Sequence, residues 1–181
     1  MYSPAEVARR YVETGKSKAA LPVGRMLLLG MLAGAFIALA GGSATFAVSY
    51  GGRLAGAAVF PAGLAMVLLA GSELFTGNCL LVIPLLERQL TWGRMLRSWG
   101  VVYLANVLGA GLVAALTVAA GTFDGVYESV VATAAAKAGL PFLTALLRGV
   151  LCNFLVCIAV WMSLAAQSVP GKLAAMYLPI F

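Results

Sequence analysis

Of the 181 residues, 62% are hydrophobic and 10% are charged, and the formal net charge is +6. A water-soluble domain of this size needs a polar surface that this composition cannot supply, and several apolar runs reach the roughly 20 residues that cross a bilayer. The chain reads as an all-α polytopic membrane protein; the alternating ten-residue segments of a β-barrel are missing, and the absence of histidine removes histidine-based metal sites, proton relays and catalytic triads from these 181 residues.

In chain order, residues 1–20 predict a short amphipathic helix. Ser3 can cap it, Pro4 suits its first turn, Glu6 completes a capping box and Gly15 is a plausible stop. Arg9, Arg10, Lys16 and Lys18 would face anionic headgroups, or simply water. These residues are too polar for a cleavable signal peptide. A first span is predicted over about 25–49. Its Gly30-x-x-x-Gly34 spacing reads as close helix packing, and Tyr50–Arg53 as a turn. The remainder, 21–181, forms one transmembrane domain.

The run 54–86 is too long for one straight crossing. Its middle, Gly71-Ser72-Glu73-Leu74-Phe75-Thr76-Gly77-Asn78, is polar where lipid would lie. A carboxylate at the centre of a spanning helix costs roughly 2.5–3.5 kcal/mol, and broken backbone at that depth is tolerated only where protein buries it or it lines a cavity. A discontinuous helix facing a solute pathway is expected. Gly71, Glu73 and Gly77 are its loop-structuring residues. Glu73 either satisfies loop N–H groups or faces solute. Thr76 either touches solute or caps a helix locally.

Residues 87–97 form a basic loop, with Trp92 as an interface anchor. A third span covers about 98–121, where Asn106 is expected to hydrogen-bond a neighbouring helix. A polar connection follows over 122–140, then a fourth span over about 141–165, with Pro141 in its first turn. Pro170-Gly171 breaks the chain, and residues 173–181 begin a fifth span. Nine helical residues cover about 14 Å of a core of about 30 Å, so the chain reads as a C-terminally truncated record or product. Cys79, Cys152 and Cys157 lie in apolar runs without C-x-x-C spacing and read as small buried hydrophobes. With the N-terminus in the cytoplasm, Arg9, Arg10, Lys16, Lys18, Arg25, Arg88, Arg94, Arg97 and Lys172 fall inside. Arg53, Lys137 and Arg148 fall outside, the asymmetry expected of a cytoplasmic-membrane protein. These flanking charges also explain the basic balance without nucleic acid.

The stretch Gly71-x-Glu73-Leu74-Phe75-Thr76-Gly77-Asn78 resembles the formate/nitrite transporter family. So do Leu90-Thr-Trp-Gly, Val102-Tyr-x-x-Asn106, Arg148-Gly-x-x-Cys-Asn153 and Val156-Cys-x-Ala-Val-Trp-Met162. The resemblance implies a homopentamer with an aquaporin-like bundle, a broken second helix and one pore per subunit. The implied substrates are small monovalent anions: formate, nitrite or hydrosulfide, with or without proton coupling. It places Phe60 and Leu64 at the pore constriction, Leu74, Phe75 and Thr76 on a mobile loop, Lys137 in the outer vestibule, and Asn153 and Val156 on the pore side of span four. Asn78, Thr76 and Asn153 would offer donors to a dehydrating anion. The family's histidine and sixth span would follow residue 181. Without the resemblance, Phe60 and Leu64 read as core or lipid-facing residues, Lys137 as an interfacial lysine and Asn153 as a helix bridge. Two other classes stand beside the anion channel: a neutral-solute (water or glycerol) channel, which would want paired Asn-Pro-Ala motifs, and a structural membrane subunit. No enzyme or cofactor motif is present.

Overall fold

A computed structural model describes residues 1–181 as helices with no strand. Helix α1 spans Pro4–Ala19. Ser3 Oγ accepts from the Glu6 N–H at 3.3 Å, so the predicted start is observed. Gly15 does not stop the helix. It lies against Pro84, which a Cβ there would meet at 2.8 Å. The apolar face of α1 (Val7, Tyr11, Val12) is buried on the bundle. Of the four basic residues expected to face headgroups or water, Lys18 departs by turning inward, whereas Lys16 stays at the surface and holds Glu13 and Gln89, each at 3.1 Å.

Helix α2 spans Val23–Val59 and is interrupted at Gly52, whose φ of 75° favours glycine. The chain reverses there, so the predicted turn is observed and the returning arm packs on the outgoing one. At Gly56 a Cβ would meet Val48, and at Gly63 it would meet Ala40. Pro61 opens α3, Pro61–Ala70. The run then breaks as predicted and resumes as α4, Phe75–Asn78, a single 3-10 turn, and α5, Val82–Leu86.

Helix α6, Trp92–Ala119, starts earlier than predicted because Thr91 caps it. It carries Trp92, Arg94 and Arg97 out of the expected loop, and Arg97 donates to Ala19 O at 2.8 Å at the end of α1. The predicted polar connection holds a further helix, α7, Tyr127–Ala138. Its alanine content favours helix, and its polar side chains hid it from a search for spans. Helix α8, Phe142–Ala165, matches the fourth predicted span, with Pro141 as its N-cap rather than in its first turn. Helix α9, Val169–Ile180, contains the supposed breaker: Pro170 occupies the first turn behind the Ser168 cap.

Helices α2 and α6 run side by side in the same direction. A side chain at Gly34 would strike the Asn106 backbone, and one at Gly109 would strike the Met31 backbone, so this seam needs glycine, as the Gly30-x-x-x-Gly34 spacing predicts. A core of Ala33, Leu64, Val67, Ala159, Val160 and Met176 joins α2, α3, α8 and α9. Outward, Leu104, Leu108 and Leu112 of α6 and Leu147, Leu151 and Phe154 of α8 are exposed, continuous apolar stripes fit for lipid. The stretches Val23–Ala70, Trp92–Ala119 and Phe142–Ala165 are long and apolar enough to cross a membrane. Cys152 is exposed on α8, and Cys79 and Cys157 are part-buried, so the reading of all three as buried is corrected.

Candidate functional site

The break is a built structure. Gly71 ends α3 in the left-handed conformation, φ 66°, ψ 29°, and the Ser72 N–H closes the end on Val67 O at 3.1 Å. The chain then runs extended through Leu74. Extended backbone inside a bundle must find partners, and Asn106 of α6 supplies them. Its Nδ2 donates to Glu73 O at 2.9 Å and to Gly30 O at 2.8 Å, and its Oδ1 accepts from the Phe75 N–H at 2.9 Å. The Glu73 N–H donates to Leu29 O at 3.1 Å. Asn106 does bridge helices, as expected, and it also stands in for a missing strand.

Glu73 is 4% exposed. Its carboxylate does not bind loop N–H groups. It accepts from Lys18 Nζ at 2.9 Å and from Asn78 Nδ2 at 2.8 Å. Lys18 also reaches Asn78 Oδ1 at 3.2 Å, and Asn78 Nδ2 lies 3.4 Å from Ser98 Oγ. Trp99 Nε1 donates to Asn78 O at 2.8 Å, and the Tyr11 hydroxyl donates to Gly77 O at 3.4 Å. A buried carboxylate is stable only when paired and hydrogen-bonded, and here α1 brings the cation. Burial, and secondarily the Glu73 charge, hold the Tyr11 phenol above its ordinary pKa.

The candidate residues divide into groups. Leu64, Leu74, Gly77 and Asn78 line a cavity of about 100 Å³ with Lys18 and Val160. The Asn78 amide is already engaged with Glu73, Lys18 and Ser98, so it braces this cavity. Phe60 and Lys137 line a second cavity, about 210 Å³, between α2 and α7. Leu64 lines the first space and Phe60, one helical turn before it, lines the second. Phe75 turns away from both: its ring packs edge-on to Tyr103 at 5.3 Å and Trp99 at 6.2 Å, anchoring the loop on α6. Thr76 caps nothing. Its Oγ1 is buried without a partner, and its carbonyl lies 3.4 Å from Cys157 Sγ. Asn153 sits beside Cys157 and Val156 packs against the core; neither lines these two cavities. A wider groove of about 790 Å³ runs between α2, α6 and α7 and contains none of the candidates.

Sequence reasoning missed Lys18 and Tyr11 as parts of this site. The sequence signals the need but not the partner: Glu73 in a span demands a cation, and the spans offer almost none.

The sequence model of the formate/nitrite transporter family matches residues 5–181. The chain belongs to the formate/nitrite transporter family. An uncharacterized transporter of Bacillus subtilis (strain 168), YrhG, is 38% identical over 188 residues, covering 98% of this chain and 71% of that protein. A solved FNT family ion channel superposes with a TM-score of 0.83 at 25% identity, covering 97% of this chain and 74% of the other. A pentameric formate channel with formate bound gives 0.73 at 28% identity, covering 87% and 66%. This family member is a multi-pass membrane transport protein, and its family is one of transporters and channels rather than enzymes.

Proposed function

We propose that the chain forms the conduction path of a channel for small monovalent anions of the formate, nitrite or hydrosulfide class. It would lie in the cytoplasmic membrane with α1 on the cytoplasmic side, as a homopentamer with one path per subunit. The observation that carries this reading is the pair of cavities lined by Leu64 and by Phe60, one helical turn apart, the first bordered by Lys18 and the second by Lys137. The family match and the formate-bound pentameric relative support the substrate class and the assembly. The distribution of basic residues supports the orientation.

A bare anion crossing an apolar constriction loses its water, so donors must replace part of that shell. Lys137 draws the anion into the wider cavity by its positive field. Phe60 and Leu64 form the apolar neck. The unpartnered Thr76 hydroxyl, with Asn153 nearby on α8, supplies hydrogen bonds beside it, and Leu74 closes the α1-side cavity. Glu73 does not repel the anion because Lys18 neutralises it at 2.9 Å. Gly71 and Gly77 give the loop its shape, with Phe75 and Val156 as packing supports. If a weak-acid anion takes up a proton and crosses as the neutral acid, uptake will rise as the external pH falls.

The test is uptake into proteoliposomes. Formate and nitrite should enter far faster than sulfate. Equal rates for sulfate and formate would overturn the monovalent-anion reading.

A further inference from the structure

Helix α7 carries Ser129, Thr133 and Lys137 at intervals of four residues, and all three border the cavity that holds Phe60. Residues four apart share a helix face, with successive rungs about 6 Å apart. The opposite wall is α2, with Thr45. No acidic side chain lines this space, and Lys137 makes no ion pair within the chain.

The hydroxyls separate the two walls. A serine or threonine in an apolar helix commonly satisfies its donor on a carbonyl of its own helix. Thr45 does so on Gly41 O at 3.0 Å, Ser49 on Thr45 O at 3.1 Å, and Thr117 on Val113 O at 2.9 Å. Ser129 and Thr133, both exposed, make no hydrogen bond within the chain; Thr133 does not turn back to the α7 carbonyl of Ser129, and Ser129 stands in the first turn of α7, just after a 3-10 turn. Their donors are free, beside a free ammonium, on one face of one cavity. Three unused donors and no acceptor charge suit an anion with acceptor oxygens, and suit a cation poorly.

We propose that Ser129, Thr133 and Lys137 form a saturable docking site for a small monovalent oxyanion, where it exchanges part of its hydration shell before the Phe60–Leu64 neck. This rests on the anion-channel reading and adds to it two specificity-determining hydroxyls. The ammonium attracts any anion, whereas the hydroxyls favour one that accepts directed hydrogen bonds.

Two measurements test it, both with formate as the probe. The first is the concentration dependence of formate uptake by proteoliposomes. The Ser129→Ala/Thr133→Val double variant should raise the half-saturating concentration about tenfold, on the scale of hydrogen bonds to a charged group, with the maximal rate within about twofold of the parent. Thr133→Ser should keep the parent value, and so should Thr117→Val, which removes a hydroxyl already used by its own helix. The second is saturation-transfer NMR of the formate proton on the detergent-solubilised protein, which reads binding without transport. The parent signal should be competed by nitrite and fall in the double variant. Formate transport with an unchanged half-saturating concentration in the double variant overturns the docking site and spares the channel reading. Formate binding that is lost in the double variant, with no uptake by the parent, supports the site and sinks the channel reading. Absence of any parent NMR signal overturns the docking site.

Discussion

Lys18 Nζ lies 2.9 Å from the Glu73 carboxylate across 55 residues of sequence, so the N-terminal helix supplies the counter-charge for the polar break in the membrane domain. The pair is unequal in exposure, 27% for the lysine side chain and 5% for the glutamate side chain. Removing the lysine strands a buried charge, whereas removing the carboxylate frees a cation that can still reach water. Lys18→Met should therefore destabilise by about 3 kcal/mol, the low end for breaking a buried pair because the lysine is partly hydrated. Glu73→Gln should cost less, since its amide can still accept from Lys18. The Lys18→Met/Glu73→Gln double variant should recover much of the loss. Thermal unfolding in detergent measures all three, and strictly additive losses would show that the two side chains do not depend on each other.

Asn106 carries the second prediction. It satisfies Glu73 O and the Phe75 N–H at once, both at 2.9 Å. Asn106→Ala leaves these groups unpaired inside the bundle, at roughly 1–3 kcal/mol for each one that water cannot reach. Asn106→Asp should be at least as harmful, because it keeps the acceptor for Phe75, loses the donor for Glu73 O and Gly30 O, and adds a charge inside the bundle. Melting temperature should fall in both variants, with Asp no better than Ala. Amide exchange should rise at Phe75 in the Ala variant.

The alkaline limb of stability tests Tyr11. Its phenol is held above the ordinary value of about 10 by burial first and by Glu73 second. A raised folded-state pKa means that the folded protein favours the neutral phenol. The contribution is complete below the unfolded value of about 10 and is lost as pH rises toward the folded value. Melting temperature should drop between about pH 10 and 11 more steeply in the parent than in Tyr11→Phe. Equal slopes would mean that Tyr11 ionises as freely folded as unfolded.

How much of this was legible in the sequence follows from what each signal encodes. The Gly30-x-x-x-Gly34 spacing announced the α2–α6 seam because close backbone approach permits almost nothing larger than hydrogen, and the Gly71–Asn78 motif announced the break because polar groups at bilayer depth are costly. Helix α7 was hidden because its exposed polar face looks like a loop when apolar runs are the criterion. Pro170 was read as a stop because Pro-Gly breaks helices internally, but behind Ser168 it opens one. The partnership of Lys18 with Glu73 was hidden for a different reason. Periodicity places residues on a helix face, but it does not dock one helix on another, so the inward turn of α1 had to come from tertiary packing. Phe75 shows the same limit: its motif marks the loop, and only the fold shows its ring set against Tyr103 and Trp99.

Thr76 separates stability from transport. Its hydroxyl is buried without a hydrogen-bond partner, an arrangement that costs about 1–3 kcal/mol unless something else fills the role. Thr76→Val replaces the hydroxyl by a methyl of similar size, so melting temperature should hold or rise slightly. If that hydroxyl serves a passing anion, formate uptake should nevertheless fall, by roughly tenfold for one lost hydrogen bond to a charged species. Cys79→Ala, which removes a thiol directed at Phe75 O at 3.5 Å, should reduce uptake less. Stopped-flow uptake and thermal melts on the same preparations give both readouts. A Thr76→Val protein that transports at the parent rate, or loses less activity than Cys79→Ala, would remove the Thr76 hydroxyl from the conduction path.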